Sequence, residues 1–166
     1  MKRKVTITVD KEYLKFSAAH YTIFSAESRE RLHGHNFAVR AKVRFPVDDT
    51  GINFDYKLFK DTLRDICDSL DEYTIIAKNS KFLKIEEAGE YYKITHNGTE
   101  MMLRQDETLL LPITNSTIEE LSNYLLGRLV QNKTMIDDNE VDYVAVQTSS
   151  GPGQWAESEW LSLIHI

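Results

Sequence analysis

At 166 residues and a formal net charge of -6, the chain can bury a core without staples, and it lacks the excess positive field that nucleic-acid binding needs. Cys67 is its only cysteine, so an internal disulfide is excluded and a reducing, cytoplasmic setting is expected. No stretch approaches the roughly 20 apolar residues that span a bilayer, so no membrane partner is expected and one domain over 1–166 is the working assumption.

The basic start, Met1-Lys2-Arg3-Lys4, leads into Val5-Thr6-Ile7-Thr8-Val9-Asp10, which alternates like a strand and lacks the apolar run of a signal peptide. Apolar character resumes at Tyr13, Leu14 and Phe16 and reaches His20 through Ser17-Ala18-Ala19, so the whole reads as one first strand with room for a bulge. Residues 21–32 are polar, mixed in charge and read as a loop. From His33 alternation returns, with Phe37, Val39, Ala41, Val43 and Phe45 on one face and Arg40, Lys42 and Arg44 on the other, as far as Pro46. Asp55 caps a helical stripe of Leu58, Phe59, Leu63, Ile66, Cys67 and Leu70, which is expected to end near Asp71. Cys67 lies on that stripe and reads as a core residue.

Residues 81–111 read as an inserted hairpin, because Tyr91 to Thr95 and Thr99 to Leu103 flank His96-Asn97-Gly98 and Asn-Gly favours a tight turn. Three glycosylation sequons, at Asn97, Asn115 and Asn132, carry no weight in a cytoplasmic chain. Thr117 and Glu120 match a capping box before Leu121, Leu125 and Leu129, giving a helix over about 117–131. Val141 to Thr148 and Trp155 to Leu163 are the last strands, joined by a Gly/Pro/Ser loop. The order implies an α+β fold with an antiparallel sheet and helices on one face. Its other face and its edges would be covered by association into a ring or barrel.

His33-Gly34-His35 places two imidazoles on one side of an extended chain, with Gly34 leaving room for close approach. Two histidines in that pattern fit hydrogen-bonded or exposed side chains as well as a metal site. His20, ending the neighbouring strand in a run of small residues, adds a third ring near the same sheet end. Three neutral imidazoles leave an ion its full charge and an open fourth position, the arrangement of a catalytic zinc. His96 and His165 have no such company and read as solvated surface residues.

Phe16-Ser17-Ala18-Ala19-His20 followed by Leu32-His33-Gly34-His35-Asn36-Phe37 resembles the signature of the 6-pyruvoyl-tetrahydropterin synthase family, which includes the 6-carboxy-tetrahydropterin synthases. Asn53-Phe54-Asp55, Leu70-Asp71, Ser116-Thr117-Ile118-Glu119 and Val146-Gln147-Thr148 fall in the family's order, and only the 75–111 region is longer than the common form. The resemblance implies a tunnelling fold with two helices on a four-stranded antiparallel sheet. It also implies a homo-oligomer built from trimers, most often a hexamer. Zinc would be held by His20, His33 and His35, and the substrate would be a small-molecule dihydropterin, a 7,8-dihydroneopterin phosphate.

The chain departs from that pattern at three points. Arg29 stands where the family's catalytic cysteine is expected, and Glu30 matches a subgroup in which glutamate replaces it. Glu30 reads equally as a base, ionised at neutral pH, or as a solvated charge among Glu27, Arg29 and Arg31. The family's Asp-His pair reads Asp71-Glu72, where solvation at a helix end is the competing role for both. Gln147 replaces a pterin-binding glutamate and keeps one acceptor oxygen, with Glu157, Glu159 or Glu119 as candidates to compensate. Thr117 and Glu119 complete the expected substrate contacts. These substitutions point to aldolase-type cleavage of the dihydroneopterin side chain to 6-hydroxymethyl-dihydropterin. The alternatives are the standard 6-pyruvoyl- or 6-carboxy-tetrahydropterin synthase reaction and a non-catalytic metal- or pterin-binding homologue.

Overall fold

The structure, a computed structural model, describes residues 2–53 and 55–164. Phe54 of the Asn53-Phe54-Asp55 motif and His165 therefore lie outside the described residues. The elements are β1 (Arg3–Val9), β2 (Lys15–His20), β3 (His33–Val47), α1 (Tyr56–Asp68), β4 (Tyr73–Ala77), β5 (Lys84–Ala88), β6 (Tyr91–His96), β7 (Thr99–Arg104), β8 (Thr108–Leu111), α2 (Ile118–Val130), α3 (Lys133–Asp137), β9 (Tyr143–Ser149) and β10 (Ala156–Leu161).

β3 organises the molecule. Its alternation buries Phe37, Val39, Ala41, Val43 and Phe45 while leaving Arg40, Lys42 and Arg44 half-buried on the other face. One long strand can therefore serve two neighbours at once: β1 pairs with its far half, β2 with its near half, and β9 with its middle. The expected bulge is real and large, since residues 10–14 intervene between Val9, opposite Ala41, and Lys15, opposite Ala38. Pro46 does not stop β3, which runs on to Val47. Beyond Arg44 the strand has no β9 partner, and the ladder tolerates a missing amide on an open side.

The four-stranded antiparallel sheet needs correction in both number and direction. Seven strands join, in the order β10-β9-β3-β2-β4-β8 with β1 also on β3, and the β2–β4 and β4–β8 pairings are parallel. The insertion likewise carries three strands, β5-β6-β7, with the expected hairpin as its second half. Asn97 and Gly98 turn that hairpin with φ of 50° and 73°, the left-handed values that favour this dipeptide.

Both predicted helices form. Asp55 accepts from the Lys57 amide and Thr117 from the Glu120 amide. The capping box is not reciprocal, however, because the Glu120 carboxylate turns to the amide and hydroxyl of Thr114. α1 ends at Asp68, earlier than expected, and α3 had no strong periodic signal in five residues. α1 packs on α2 and β2, and α2 packs on β9 and β10. Phe59, Leu63, Leu121, Leu125 and Leu129 thereby close over Phe37, Val39, Val144 and Val146 in one core. Each such side chain contributes about 1.5–3 kcal/mol by leaving water. A second, smaller cluster of Tyr21, Ile23, Ile76 and Ile94 lies between the insertion and residues 21–23. No helix among the described residues is long and apolar enough to cross a membrane.

Candidate metal centre and active site

The β2–β3 ladder sets His20 directly opposite His33, and His35 two residues along projects from the same face. The ring centroids stand 4.8, 5.1 and 4.8 Å apart, and one nitrogen from each ring falls within 4.8 Å of the others. Buried Phe37 lies edge-on beneath His20 and His35, giving the three rings an apolar floor.

Two of the rings are oriented by backbone carbonyls. His20 Nδ1 lies 2.6 Å from the Ser116 carbonyl and His33 Nδ1 2.6 Å from that of Arg31. A carbonyl can only accept, so each Nδ1 carries the proton and each Nε2 presents its lone pair inward. His20 Nε2 is buried and has no hydrogen-bond partner. His33 Nε2 and His35 Nε2 approach to 3.0 Å, close to the roughly 3.3 Å between two nitrogens sharing one tetrahedral ion. Burial pushes the His20 pKa down, helped by the neighbouring rings and against the Ser116 and Glu30 contributions, so the ring stays neutral. A buried orphan lone pair among converging imidazoles is what a divalent metal requires of its ligands.

Residues 21–32, expected as a loop, form a small hairpin. The Glu30 amide donates to the Thr22 carbonyl at 2.8 Å, the Thr22 amide donates to Glu30 Oε2 at 2.9 Å, and Ile23 bridges Arg29. Glu30 Oε2 stands 3.9 Å from His33 Nε2. Burial raises the Glu30 pKa, but the hydrogen bonds from Thr22, followed by the nearby His33 and His20 rings, outweigh it and hold the carboxyl below its ordinary value. Arg29 lies over the Tyr21 ring and donates to the Glu30 carbonyl. Cys67 is fully buried in α1, and burial followed by the charge of Asp68 pushes its thiol up to about 12. It offers no thiolate in place of the missing cysteine.

The three histidines, Thr22 and Glu30 share a cavity of about 310 Å³ with Thr117, Ile118 and Glu119 of the α2 N-terminus and with Ser150 and Gln154. The remaining expected site residues are elsewhere. Asp71 Oδ1 accepts from the Ser17 amide and the Glu72 amide donates to the Ser17 carbonyl, both at 2.7 Å, past the end of α1. Glu72, with φ of 63°, lines a second cleft of about 490 Å³ together with Ala18, Gly34 and His35. Gln147 is outside both clefts, where its oxygen accepts from Arg40 and its nitrogen donates to Glu157.

Sequence reasoning missed the groups that hold the site in place. Asn115 grips Ile23 at both ends, accepting from its amide at 3.0 Å and donating to its carbonyl at 2.8 Å. Thr22, Ser150 and Gln154 were also passed over; Thr22 is a polar residue two positions after His20, which was a usable signal. His96 is corrected from surface to interior: it is 6% exposed, and its Nε2 donates to the Ser25 carbonyl at 2.9 Å.

A mixed sheet under two helices, with three histidines that could hold a metal at one end of its central ladder, defines an α+β protein with a candidate metal centre. The chain belongs to the 6-pyruvoyl tetrahydropterin synthase family, whose profile matches residues 7–159. It is 28% identical to the 6-pyruvoyl tetrahydropterin synthase of Plasmodium vivax, with a TM-score of 0.90 over 96% of this chain and 99% of that one. A form of the P. vivax protein with a catalytic glutamate changed to cysteine superposes with a TM-score of 0.91 at 27% identity, over the same 96% and 99%. A Methanocaldococcus jannaschii protein provisionally named 6-carboxy-5,6,7,8-tetrahydropterin synthase is 26% identical over 144 residues, 86% of this chain and 88% of that one.

Proposed function

We propose that this chain is a zinc-dependent tetrahydropterin synthase that converts the side chain of a 7,8-dihydroneopterin phosphate to a 6-pyruvoyl- or 6-carboxy-tetrahydropterin. The observation that carries this reading is the partnerless, buried Nε2 of His20 in the same cavity as an ionised Glu30. The names of the relatives point the same way, and the P. vivax protein has a glutamate described as its catalytic residue, so a thiol is not obligatory.

In this reading His20, His33 and His35 hold zinc, which when bound supplies positive charge that favours the ionised form of a substrate hydroxyl. Glu30 accepts the proton at Oε2, where the Thr22 amide fixes it. Thr117 and Glu119 contact the substrate from the α2 N-terminus. The Gln147 oxygen already accepts from Arg40 and has one lone pair left for a pterin N–H, which makes it the weakest of the assigned contacts. Glu72 acts from the second cleft, which shares His35 with the first, and Asp71 supports it through the Ser17 amide. A cytoplasmic homo-oligomer of trimers, most often a hexamer, would cover the open edges β8 and β10. Sedimentation equilibrium that gave a stable monomer at micromolar concentration contradicts the assembly.

Aldolase-type cleavage to 6-hydroxymethyl-dihydropterin is the second reading, favoured by the carboxylate at position 30 standing 3.9 Å from His33 Nε2. Incubating zinc-loaded protein with dihydroneopterin triphosphate and weighing the products separates the two. A pyruvoyl or carboxyl side chain supports the synthase, and a hydroxymethyl group supports cleavage. Pterin binding without turnover replaces both with a non-catalytic role.

A further inference from the structure

We propose that the inserted sheet belongs to the catalytic apparatus, with His96 as the positioning residue that fixes the hairpin bearing Glu30. The proposal rests on the reading of Glu30 as the base.

The hairpin of residues 22–30 is small and mostly polar, and its own bonds set its shape but not its place. Ser25 closes the tip, with its hydroxyl accepting from the Glu27 and Ser28 amides and its own amide donating to the Ser28 carbonyl. That leaves the Ser25 carbonyl pointing outward, and His96 meets it with Nε2–H at 2.9 Å from a site 6% exposed. Asn97, in its left-handed turn, extends Nδ2 towards the Glu27 carbonyl at 3.4 Å. Beneath these contacts Ile94, one turn of the pleat before His96, packs with Tyr21 and Ile23 in the second apolar cluster. Asn115 holds the base of the hairpin through Ile23 and His96 holds its tip, so the two clamps define the line on which Glu30 sits. Removing the tip clamp leaves the carboxylate free to pivot about Thr22. A displacement on the order of 1 Å at a reacting group costs about 10²-fold in rate.

The test uses the zinc-loaded full chain with four variants: His96→Leu, which fills the space without a donor; His96→Gln, whose Nε2 reaches the same point; Glu30→Gln; and the His96→Leu/Glu30→Gln pair. Turnover of dihydroneopterin triphosphate and amide hydrogen exchange are both read. We expect His96→Leu to lower kcat about ten- to a hundredfold with KM and zinc content unchanged. The Ser28 and Glu30 amides should exchange faster while those of β3 do not change. His96→Gln should restore both readings, and His96→Leu should cost nothing further once Glu30 is Gln. Exchange at Ser28 and Glu30 that matches wild type in His96→Leu overturns the proposal whether or not the protein turns over, as do a failed rescue by glutamine and additive losses in the pair. Full activity in Glu30→Gln overturns the base assignment instead. Should His96→Leu not fold, His96→Asn, too short to reach the Ser25 carbonyl, is read by the same measures.

Discussion

His20, His33 and His35 converge because a ladder makes them converge, whereas Glu30 reaches the same cavity through clamps that belong to no regular element. The ladder fixes the histidines by register: once His20 is opposite His33, a period of two brings His35 to the same face. Disturbing them means moving β2 against β3, whose contacts are anchored by a stack of Phe16 on Phe37 at 5.0 Å. Glu30 depends instead on Thr22 within its hairpin and on Asn115 and His96 from distant parts of the chain. In the proposed function, the metal ligands are thus built into the central ladder and the base is hung on a separate support. Such a division allows the acid-base group to vary while the ligand set stays in place.

The largest effect should come from breaking the ladder side of this pair. His33→Ala combined with His35→Ala leaves one imidazole, and zinc content measured on the purified protein should fall to near zero with complete loss of turnover. Zinc retained at the wild-type level would place the metal elsewhere. Next in size is the clamped side. Glu30→Gln keeps shape and hydrogen-bonding length but removes the base, so turnover should drop by roughly 10² to 10⁴ while zinc content stays level. Equal losses of metal in the two experiments would erase the distinction between ligand and base.

The third prediction measures the support itself. Asn115 bonds both the amide and the carbonyl of Ile23 and also accepts from the Ser116 amide, beside the carbonyl that orients His20. Asn115→Ala leaves these groups partly unpaired and should cost about 1–3 kcal/mol, read by denaturant unfolding as a lower midpoint at constant slope. A loss near zero would mean that the hairpin is held from the insertion alone.

How legible each region was in the sequence follows the same division. β3, the caps at Asp55 and Thr117 and the trihistidine set all announce themselves within a few residues, by period or by local capping chemistry. β4 and β8 do not, because Tyr73–Ala77 and Thr108–Leu111 are short apolar runs whose parallel pairing joins segments about thirty residues apart. His96 was misread for a related reason. A histidine beside Asn-Gly looks like a solvated turn, and only the docking of that turn on Ser25, 71 positions away, buries it. Glu30 was legible as a residue three positions before His33, but its support was not, since Asn115 and His96 lie far from it in sequence.

The smallest expected effect belongs to Gly34, between two ligands. Its presence in His33-Gly34-His35 suggests that a side chain there would obstruct the metal frame, yet a Cβ at Gly34 would meet only the Ala18 carbonyl, at an ordinary 3.7 Å. Its φ is not in the left-handed region either, so alanine adopts the same backbone without strain. Gly34→Ala should keep zinc and should stabilise the fold by about 0.4–1 kcal/mol, because the unfolded chain loses freedom, a rise of roughly 1–4 °C in Tm. Loss of zinc in this variant would show that the ladder is less forgiving than its contacts indicate. Zinc retained with reduced turnover has a different meaning. The added methyl would stand in the cleft that Gly34 shares with Glu72 and His35, and a loss of rate there would place that second cleft, and Glu72 with it, in the working site.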